Sequence, residues 1–492
     1  MVAAPKTPPS VHRPVVAIVG GGFTGAALAY HLVRLLPQEA ARIVIYEPRA
    51  VLGGGLAYDT VEPVHRINVP ASRMTLVPGD DEHFQRWLFE TDVLKDDAEA
   101  TTADGHVFAR RSDFGRYVTT QLQPLLDDGA VEHHRNLVRA IEKSGARWRI
   151  EAEDGSSLLA DLVILAATHP SPQAPAALTR QLAGHPRYVP DATVPGALSG
   201  IRPGDRVLVV GAGLTAADVI AALDAAGHTG PITAISRRGL RSRGHNLLAQ
   251  DPFGDFALPP ARSARELLRR VRQTIADAEG AGVTWHAVFD RLRAQGRNIW
   301  QALPVIEQRR LLRFLRSHWD VHRFRIAPQV EAVIERGIAD GQYAFHAASV
   351  SDVQRGADDA IEVRFRLRHG RGTFDDQYDA VVVTTGPGHG GVLSSQPFLT
   401  GLGKAGVLRA DAVGLGLAVD RQSHAVGADG AVAESLYIAG PLARGMFGEL
   451  MGLPQVTEHA VFVAENVARD IASRELEHRS AAVLAALSLA TA

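Results

Sequence analysis

Gly20-x-Gly22-x-x-Gly25 sets three glycines where a chain must turn tightly, approach an anion and let a helix pack close. Phe23 and Thr24 fill the spaces between them. A pyrophosphate fits such a turn, because the amide groups and dipole at a helix N-terminus favour negative charge. Glu47 lies 27 residues beyond Gly20. A carboxylate there accepts hydrogen bonds from a ribose 2′-hydroxyl and repels a 2′-phosphate, which suits the adenosine half of FAD or NAD. A bare turn is the blander reading.

A second constellation repeats the device. Gly211-x-Gly213-x-x-Ala216, with Leu214 and Thr215 inside it, is followed by Ser236-Arg237-Arg238 instead of an acid. A hydroxyl and two guanidiniums suit a phosphate, since arginine forms bidentate, charge-assisted bonds to it. The pattern predicts an NADPH 2′-phosphate pocket, against the plainer reading of a basic loop. FAD at the first site and NADPH at the second imply a hydride passing from nicotinamide to flavin.

The surrounding elements agree. Val15–Val19 reads as a buried strand, Ala26–Leu36 as a helix and Ile43–Tyr46 as a strand, which makes a βαβ unit. Arg206–Val210, Ala217–Ala226 and Ile232–Ile235 repeat it about 190 residues later. Asp161–Ala166 and Ala380–Val383 read as further buried strands, Ala360–Arg368 as a half-exposed one, and Val456–Ala472 as a long helix. The expected fold is α/β, with two Rossmann-like domains and a helical insertion. Residues 14–170 form the first part of an FAD-binding domain and 171–203 a proline-rich linker. Residues 204–385 form an NADPH-binding domain with an arginine-rich helical insertion at about 261–325. Residues 386–475 return to the FAD domain. A disordered tail at 1–13 and a C-terminal tail at 476–492 complete the expectation.

Between these landmarks lie softer candidates. Gly53-Gly54-Gly55-Leu56 allows close backbone approach to a ligand, or is a flexible loop. His65, Arg66 and Asn68, with Val69 beside them, could line a flavin face; a satisfied structural histidine or asparagine fits the spacing equally well. His169 sits at an expected domain hinge. Trp319, Asp320, His322 and Arg323 could form a substrate-side cluster suited to an acidic group, although a helix packing its tryptophan and solvating its charges accounts for them better.

GGGFTGAALAYHL from Gly20, GGGLAY from Gly53, HRINVPASRM from His65, VLVVGAGLTAADV with SRRG, and WDVHRFRIAP from Trp319 together resemble a bacterial FAD/NAD(P)-binding flavoprotein family. That family is related to the two-dinucleotide flavin monooxygenases of the N-hydroxylating and class B type. The resemblance runs from about Pro14 to Arg469. It implies FAD on the first domain, NAD(P)H on the second, and a chain that returns to the first at its end. It also implies oxygen activation as a flavin C4a-(hydro)peroxide, with transfer of one oxygen atom to a small molecule such as an amine or amino acid. The residues it would assign to cofactors are those of the two glycine turns, with Glu47, Gly54, Gly55, Leu56, Asn68, Val69, Thr168, Ser236, Arg237, Arg238, Gly386 and Gly440. Three positions depart from the family pattern. His169 replaces a glycine after Thr168, Pro441 replaces an aspartate after Gly440, and Phe447-Gly448-Glu449 stands where a tryptophan–glutamate pair is usual. The Baeyer–Villiger fingerprint is not recognisable around His185.

Composition prunes the alternatives. There is no cysteine among the 492 residues, so thiol nucleophiles, thiolate metal sites and the cysteine pair of disulfide reductases are excluded. Four lysines leave few candidates for a Schiff base. No metal site is read. A net charge of −2 argues against nucleic-acid or membrane partners. Met1–Pro14 lacks the apolar stretch of a signal peptide, and the apolar run Ala481–Ala492 is too short to span a bilayer. A cytoplasmic enzyme is expected, with room for a homo-oligomer. Two other readings stay open: an oxidoreductase passing electrons to a quinone or similar diffusible acceptor, and a non-catalytic redox sensor that binds dinucleotides.

Overall fold

The computed structural model describes residues 13–490 apart from 247 and 371. Residues 1–12 of the expected N-terminal tail, and residues 491 and 492, lie outside the described residues.

The β-branched run Val15–Val19 is strand β1, and four of its five residues are fully or almost fully buried. It has no polar face because it lies inside a parallel sheet covered on both sides. In chain order the other strands are β2 (Arg42–Tyr46), β3 (Val131–His134), β4 (Val138–Ser144), β5 (Arg147–Ala152), β6 (Ser157–Ala160), β7 (Leu162–Leu165), β8 (Tyr188–Val189), β9 (Val207–Val210), β10 (Ile232–Ser236), β11 (Tyr343–Arg355), β12 (Ile361–Leu367), β13 (Thr373–Tyr378), β14 (Ala380–Val383), β15 (His424–Val426) and β16 (Val432–Ile438). The first sheet has the order β15-β16-β7-β1-β2-β3 and is parallel except for β15. The second has the order β13-β12-β11-β10-β9-β14-β8, parallel from β8 to β11 and antiparallel beyond. A small antiparallel sheet, β4-β5-β6, buries Trp148 and Ile150 on one face. The fold is thus mixed α/β with two doubly wound units, as the two repeated glycine turns predict.

Three of the expected segments carry secondary structure of their own. Residues 171–203 are more than a linker: β8 extends the second sheet there, and the helix Ala176–Leu182 packs against its apolar residues. The insertion is five consecutive helices between Ala264 and Arg323, followed by the helix Pro328–Ala339. At the C-terminal end, residues 476–490 continue the helix Gln455–Ala490, whose first turns pack on the helix Phe23–Leu35. Among the described residues no helix is long and apolar enough to cross a membrane.

Candidate functional site

A cavity of about 670 Å³ opens where the two sheets meet. Its floor is the first glycine turn. Gly20 has φ +105°, and a Cβ there would sit 2.6 Å from the carbonyl oxygen of Ala166, at the end of β7. A Cβ on Gly25 would sit 1.9 Å from the carbonyl oxygen of Gly20, so only glycine lets the helix Phe23–Leu35 start this close to the sheet. Gly22 faces Gly55 across the turn, with its Cβ position 3.3 Å from the Gly55 Cα. No side chain caps the helix that begins after Gly22, and no acid lies in its first turn. Its positive end is therefore left for an anion.

Glu47 follows β2 directly and is buried on the cavity wall. One carboxylate oxygen accepts from the amide of Gly21 at 3.0 Å, the other from the amide and the guanidinium of Arg49, both at 3.1 Å. A carboxylate has about four acceptor positions, so capacity for a hydroxyl donor remains. The groups present fit a dinucleotide: an uncapped helix end, a ribose-sized acceptor and two glycine loops held apart by no side chain.

Gly20, Gly22, Phe23, Thr24, Glu47, Gly54, Gly55, Leu56, His65, Thr168, His169, Thr215 and Gly386 all line this one cavity. Gly440 stands just behind it: its φ is +67° and a Cβ would meet Thr24 Oγ1 at 2.6 Å, while its neighbour Pro441 reaches the lining. The Gly440 amide donates to Nδ1 of His459 at 3.2 Å. Complete burial pushes His459 down to about 3, so the ring is neutral and free to accept there.

Other expected residues do not reach the cavity. Arg66 is the main correction, since its guanidinium is buried against Asp97, Nη2 to Oδ1 at 2.7 Å, and also donates to the carbonyl of Phe108. A buried cation needs such a partner, and the partner fixes its direction. The side chains of Asn68 and Val69 are likewise absent from the lining, and the carbonyl of Asn68 lies 3.1 Å from Nε2 of His245. In the second unit Gly211, with φ +132°, lies against Thr384, and a Cβ on Gly213 would meet nothing within 4 Å. The helix Leu214–Ala225 that follows also has no side-chain cap. Thr215, Asp218 and Val219 share one face of it and line the cavity, so the second unit opens on the same space as the first. Arg237 is exposed; Arg238 donates to the carbonyl of Phe314 at 2.9 Å, which turns it toward the insertion.

Sequence reasoning missed several wall residues: Arg49, Tyr58, Arg111, the stretch 136–138, the stretch 191–198, Asp218 and Met451-Gly452-Leu453. Arg111 is bonded to Asp218 and stands beside His65, whose carbonyl accepts from the Arg111 amide at 2.8 Å. His65 Nδ1 lies 2.9 Å from Thr60 Oγ1, and burial lowers its pKa, with Asp218 opposing.

The Trp319–Arg323 cluster also lies off the cavity. Trp319 and His322 stack on Phe289, Asp320 pairs with Arg316, and Arg323 lies 2.9 Å from Glu449, both side chains buried. Two oddities of the sequence, 126 residues apart, thus turn out to be one ion pair.

The first unit matches a family model. Residues 17–170 correspond to the model described as FAD-NAD(P)-binding. No curated protein matches the chain by sequence. Among solved structures, the cadaverine monooxygenase of Erwinia amylovora, bound to FAD, superposes with a TM-score of 0.63 at 13% identity, covering 94% of this chain and 96% of that one. The L-lysine 6-monooxygenase of Pseudomonas syringae gives 0.61 at 18%, over 94% and 100%. The ornithine N-hydroxylase of Kutzneria sp. 744, solved with reduced FAD, NADP+ and L-ornithine, gives 0.60 at 18%, over 94% and 100%. At these identities the likeness is one of fold, and it extends over 94% of this chain.

Proposed function

We propose that the chain is an NADPH-dependent FAD monooxygenase that transfers one oxygen atom to a small molecule, at an amine or amino-acid nitrogen. The observation that carries this reading is the shared cavity. The first glycine turn, Glu47 and the face of the second unit's helix bearing Thr215 and Asp218 all border one space, as two cofactors that exchange a hydride require. The fold-level likeness to amine and amino-acid N-hydroxylases supports nitrogen as the target. The absence of cysteine removes the dithiol route by which other proteins of this cofactor arrangement pass on electrons.

The overall reaction would be R–NH₂ + O₂ + NADPH + H⁺ → R–NHOH + NADP⁺ + H₂O. Bound FAD supplies the electron transfer and oxygen activation. The chain supplies position and shielding. Glu47 holds the adenosine ribose, and the helix ends at Phe23 and Leu214 hold the two pyrophosphates. His65, neutral through burial, offers a ring nitrogen for proton movement at the cavity wall.

The test is to load the chain with FAD, add NADPH and air, and screen diamines and basic amino acids for hydroxylamine formation. Hydroxylamine appearing in proportion to NADPH consumed would support the proposal. NADPH consumption that follows an added quinone and needs no oxygen would replace it with the acceptor-reductase reading.

A further inference from the structure

A second cavity, of about 490 Å³, shares no lining residue with the first. Its walls come from β4, β5, the loops 405–407 and 427–431, the start of β16 and Arg474 of the helix Gln455–Ala490. It therefore lies at the end of β16 away from Gly440 and the cofactor turns. Its volume falls in the range of small-molecule sites.

Lys143 of β4 lines this cavity. It is one of four lysines in a chain that otherwise uses arginine. Its ammonium donates to Oγ of Ser435 at 3.2 Å and lies 4.3 Å from the ring centre of Trp148. Neither contact neutralises its charge. Among the described residues no carboxylate forms an ion pair with it, although Asp429 and Glu434 border the same cavity. Burial lowers its pKa, and the charge of Arg474 lowers it further.

Ser435 adds a donor. Its Oγ accepts from Nε1 of Trp148 at 2.9 Å as well as from Lys143. An indole N–H and an ammonium can only donate, so both lone pairs of the hydroxyl are taken and its proton is left to give. Among the described residues no group accepts that proton. Ser435 is only 7% exposed, and a buried donor without an acceptor is costly. A desolvated cation and a hydroxyl proton thus meet at the wall of one cavity, 3.2 Å apart, and both lack an acceptor of negative charge.

We infer that Lys143 and Ser435, with Arg474 in the same wall, bind the carboxylate head of a small organic anion. One carboxylate oxygen can accept from the ammonium and the other from the hydroxyl, which are charge-assisted bonds. A singly charged head suits the cavity better than a phosphate, because Asp429 and Glu434 repel a second negative charge. The space exceeds a bare carboxylate, and Val407, Val432 and Ala433 offer an apolar wall to the rest of the molecule. The site depends neither on the cofactor assignment nor on hydroxylation.

The experiment is calorimetric titration of the FAD-loaded full chain with hexanoate, with benzoate and with inorganic phosphate. At least one of the two carboxylates should bind, and phosphate should bind at least tenfold more weakly. Lys143→Met should weaken carboxylate binding about tenfold or more, as expected for loss of a charge-assisted hydrogen bond. Ser435→Ala should weaken it about three- to tenfold. Lys143→Arg should keep part of the affinity, and Lys95→Met, which removes a lysine paired with Asp92 elsewhere, should change nothing. Unchanged FAD content shows that each variant is folded. No binding of either carboxylate to the parent would overturn the site, as would equal affinity in the parent and Lys143→Met. Phosphate bound as tightly as the carboxylates would overturn the choice of ligand.

Discussion

The guanidinium of Arg111 grips the carboxylate of Asp218 through two parallel hydrogen bonds, Nη1 to Oδ2 at 2.8 Å and Nη2 to Oδ1 at 2.9 Å. Arg111 opens the helix Arg111–Asp127 beside the first sheet, and Asp218 lies on the helix that follows the second glycine turn. The pair therefore clasps the two dinucleotide units together at the wall of their shared cavity. Both side chains are largely buried, at 17% and 13% exposure, so water screens the clasp less than it would a surface pair.

Asp218→Ala should lower the rate of flavin reduction by NADPH about 10- to 100-fold while FAD stays bound, because hydride transfer falls steeply when the donor is displaced by an ångström. The exchange Arg111→Asp with Asp218→Arg should restore part of the rate. Stopped-flow reduction under anaerobic conditions measures this, and an unchanged limiting rate in Asp218→Ala would refute the role of the clasp.

The glycines make an internal contrast. Gly25→Ala drives a methyl to within 1.9 Å of a carbonyl oxygen, so the helix must move. A loss of about 1–3 kcal/mol in stability is expected, together with loss of FAD. Gly213→Ala adds a methyl that meets nothing within 4 Å, on a backbone with φ −92° that alanine adopts freely. Its stability should stay within about 0.5 kcal/mol of the parent while NADPH affinity falls. Thermal melts with and without each cofactor separate the two, and equal behaviour of both variants would contradict the packing account.

Those glycines also show how much the sequence reveals. Period and turn chemistry are local, so both βαβ units, the buried strands at Leu162 and Ala380 and the alternating strand Ile361–Leu367 are legible in it. The clasp is not, because a bond between residues 111 and 218 depends on how two sheets face each other. Arg66 misleads for the same reason. Its neighbours in sequence suggest a ligand-facing side chain, but Asp97, 31 residues on, claims the guanidinium. Residues 191–198 read as linker because proline and small residues mark loops, and nothing local tells a loop that lines a cavity from one that does not.

A third prediction concerns pH. Nδ1 of His424 lies 3.0 Å from Asp420, and its other nitrogen lies 3.9 Å from Asp470, which also accepts from Tyr437 at 2.6 Å. Burial disfavours the charged imidazole, but the two carboxylates, Asp470 nearby and Asp420 in hydrogen-bond contact, outweigh it and the pKa is raised. Asp470 is half-buried, yet the nearby His424 and the hydrogen bond from Tyr437 hold it below the usual carboxylate range. The sign follows for each. The His424 contribution is complete below the unfolded value, about 6.5, and is lost as pH rises through the higher folded value. The Asp470 contribution is present above the unfolded carboxylate value and is lost as pH falls through the lower folded one. The melting temperature of His424→Gln should therefore lie furthest below the parent's near pH 5–6, with the gap closing toward pH 9. A gap that widens with pH would reverse the assignment.

The last prediction concerns Arg323 and Glu449. Their atoms approach to 2.9 Å but lack hydrogen-bond alignment, and both side chains are almost fully buried. Around them stand Arg293, pushed down to about 9 by burial and then by Arg323, and Arg444, lowered by burial despite the attraction of Glu449. Three guanidiniums thus share a buried region where Glu449 is the carboxylate in contact, and Asp320, raised by burial, contributes less. Removing a buried counter-charge costs more than the pair itself contributes, because the remaining cations stay desolvated. Glu449→Gln keeps the shape and should still cost about 3–5 kcal/mol in urea unfolding. Replacing both partners, Arg323→Met with Glu449→Met, should recover most of that loss, since apolar groups of similar volume carry no desolvation penalty. A double variant as unstable as Glu449→Gln would mean that packing, not charge, sets the cost. The effect should also reach the cofactor: Gly452, whose Cβ position is 3.8 Å from Nη2 of Arg323, lines the cavity, so FAD should dissociate from Glu449→Gln before the chain unfolds.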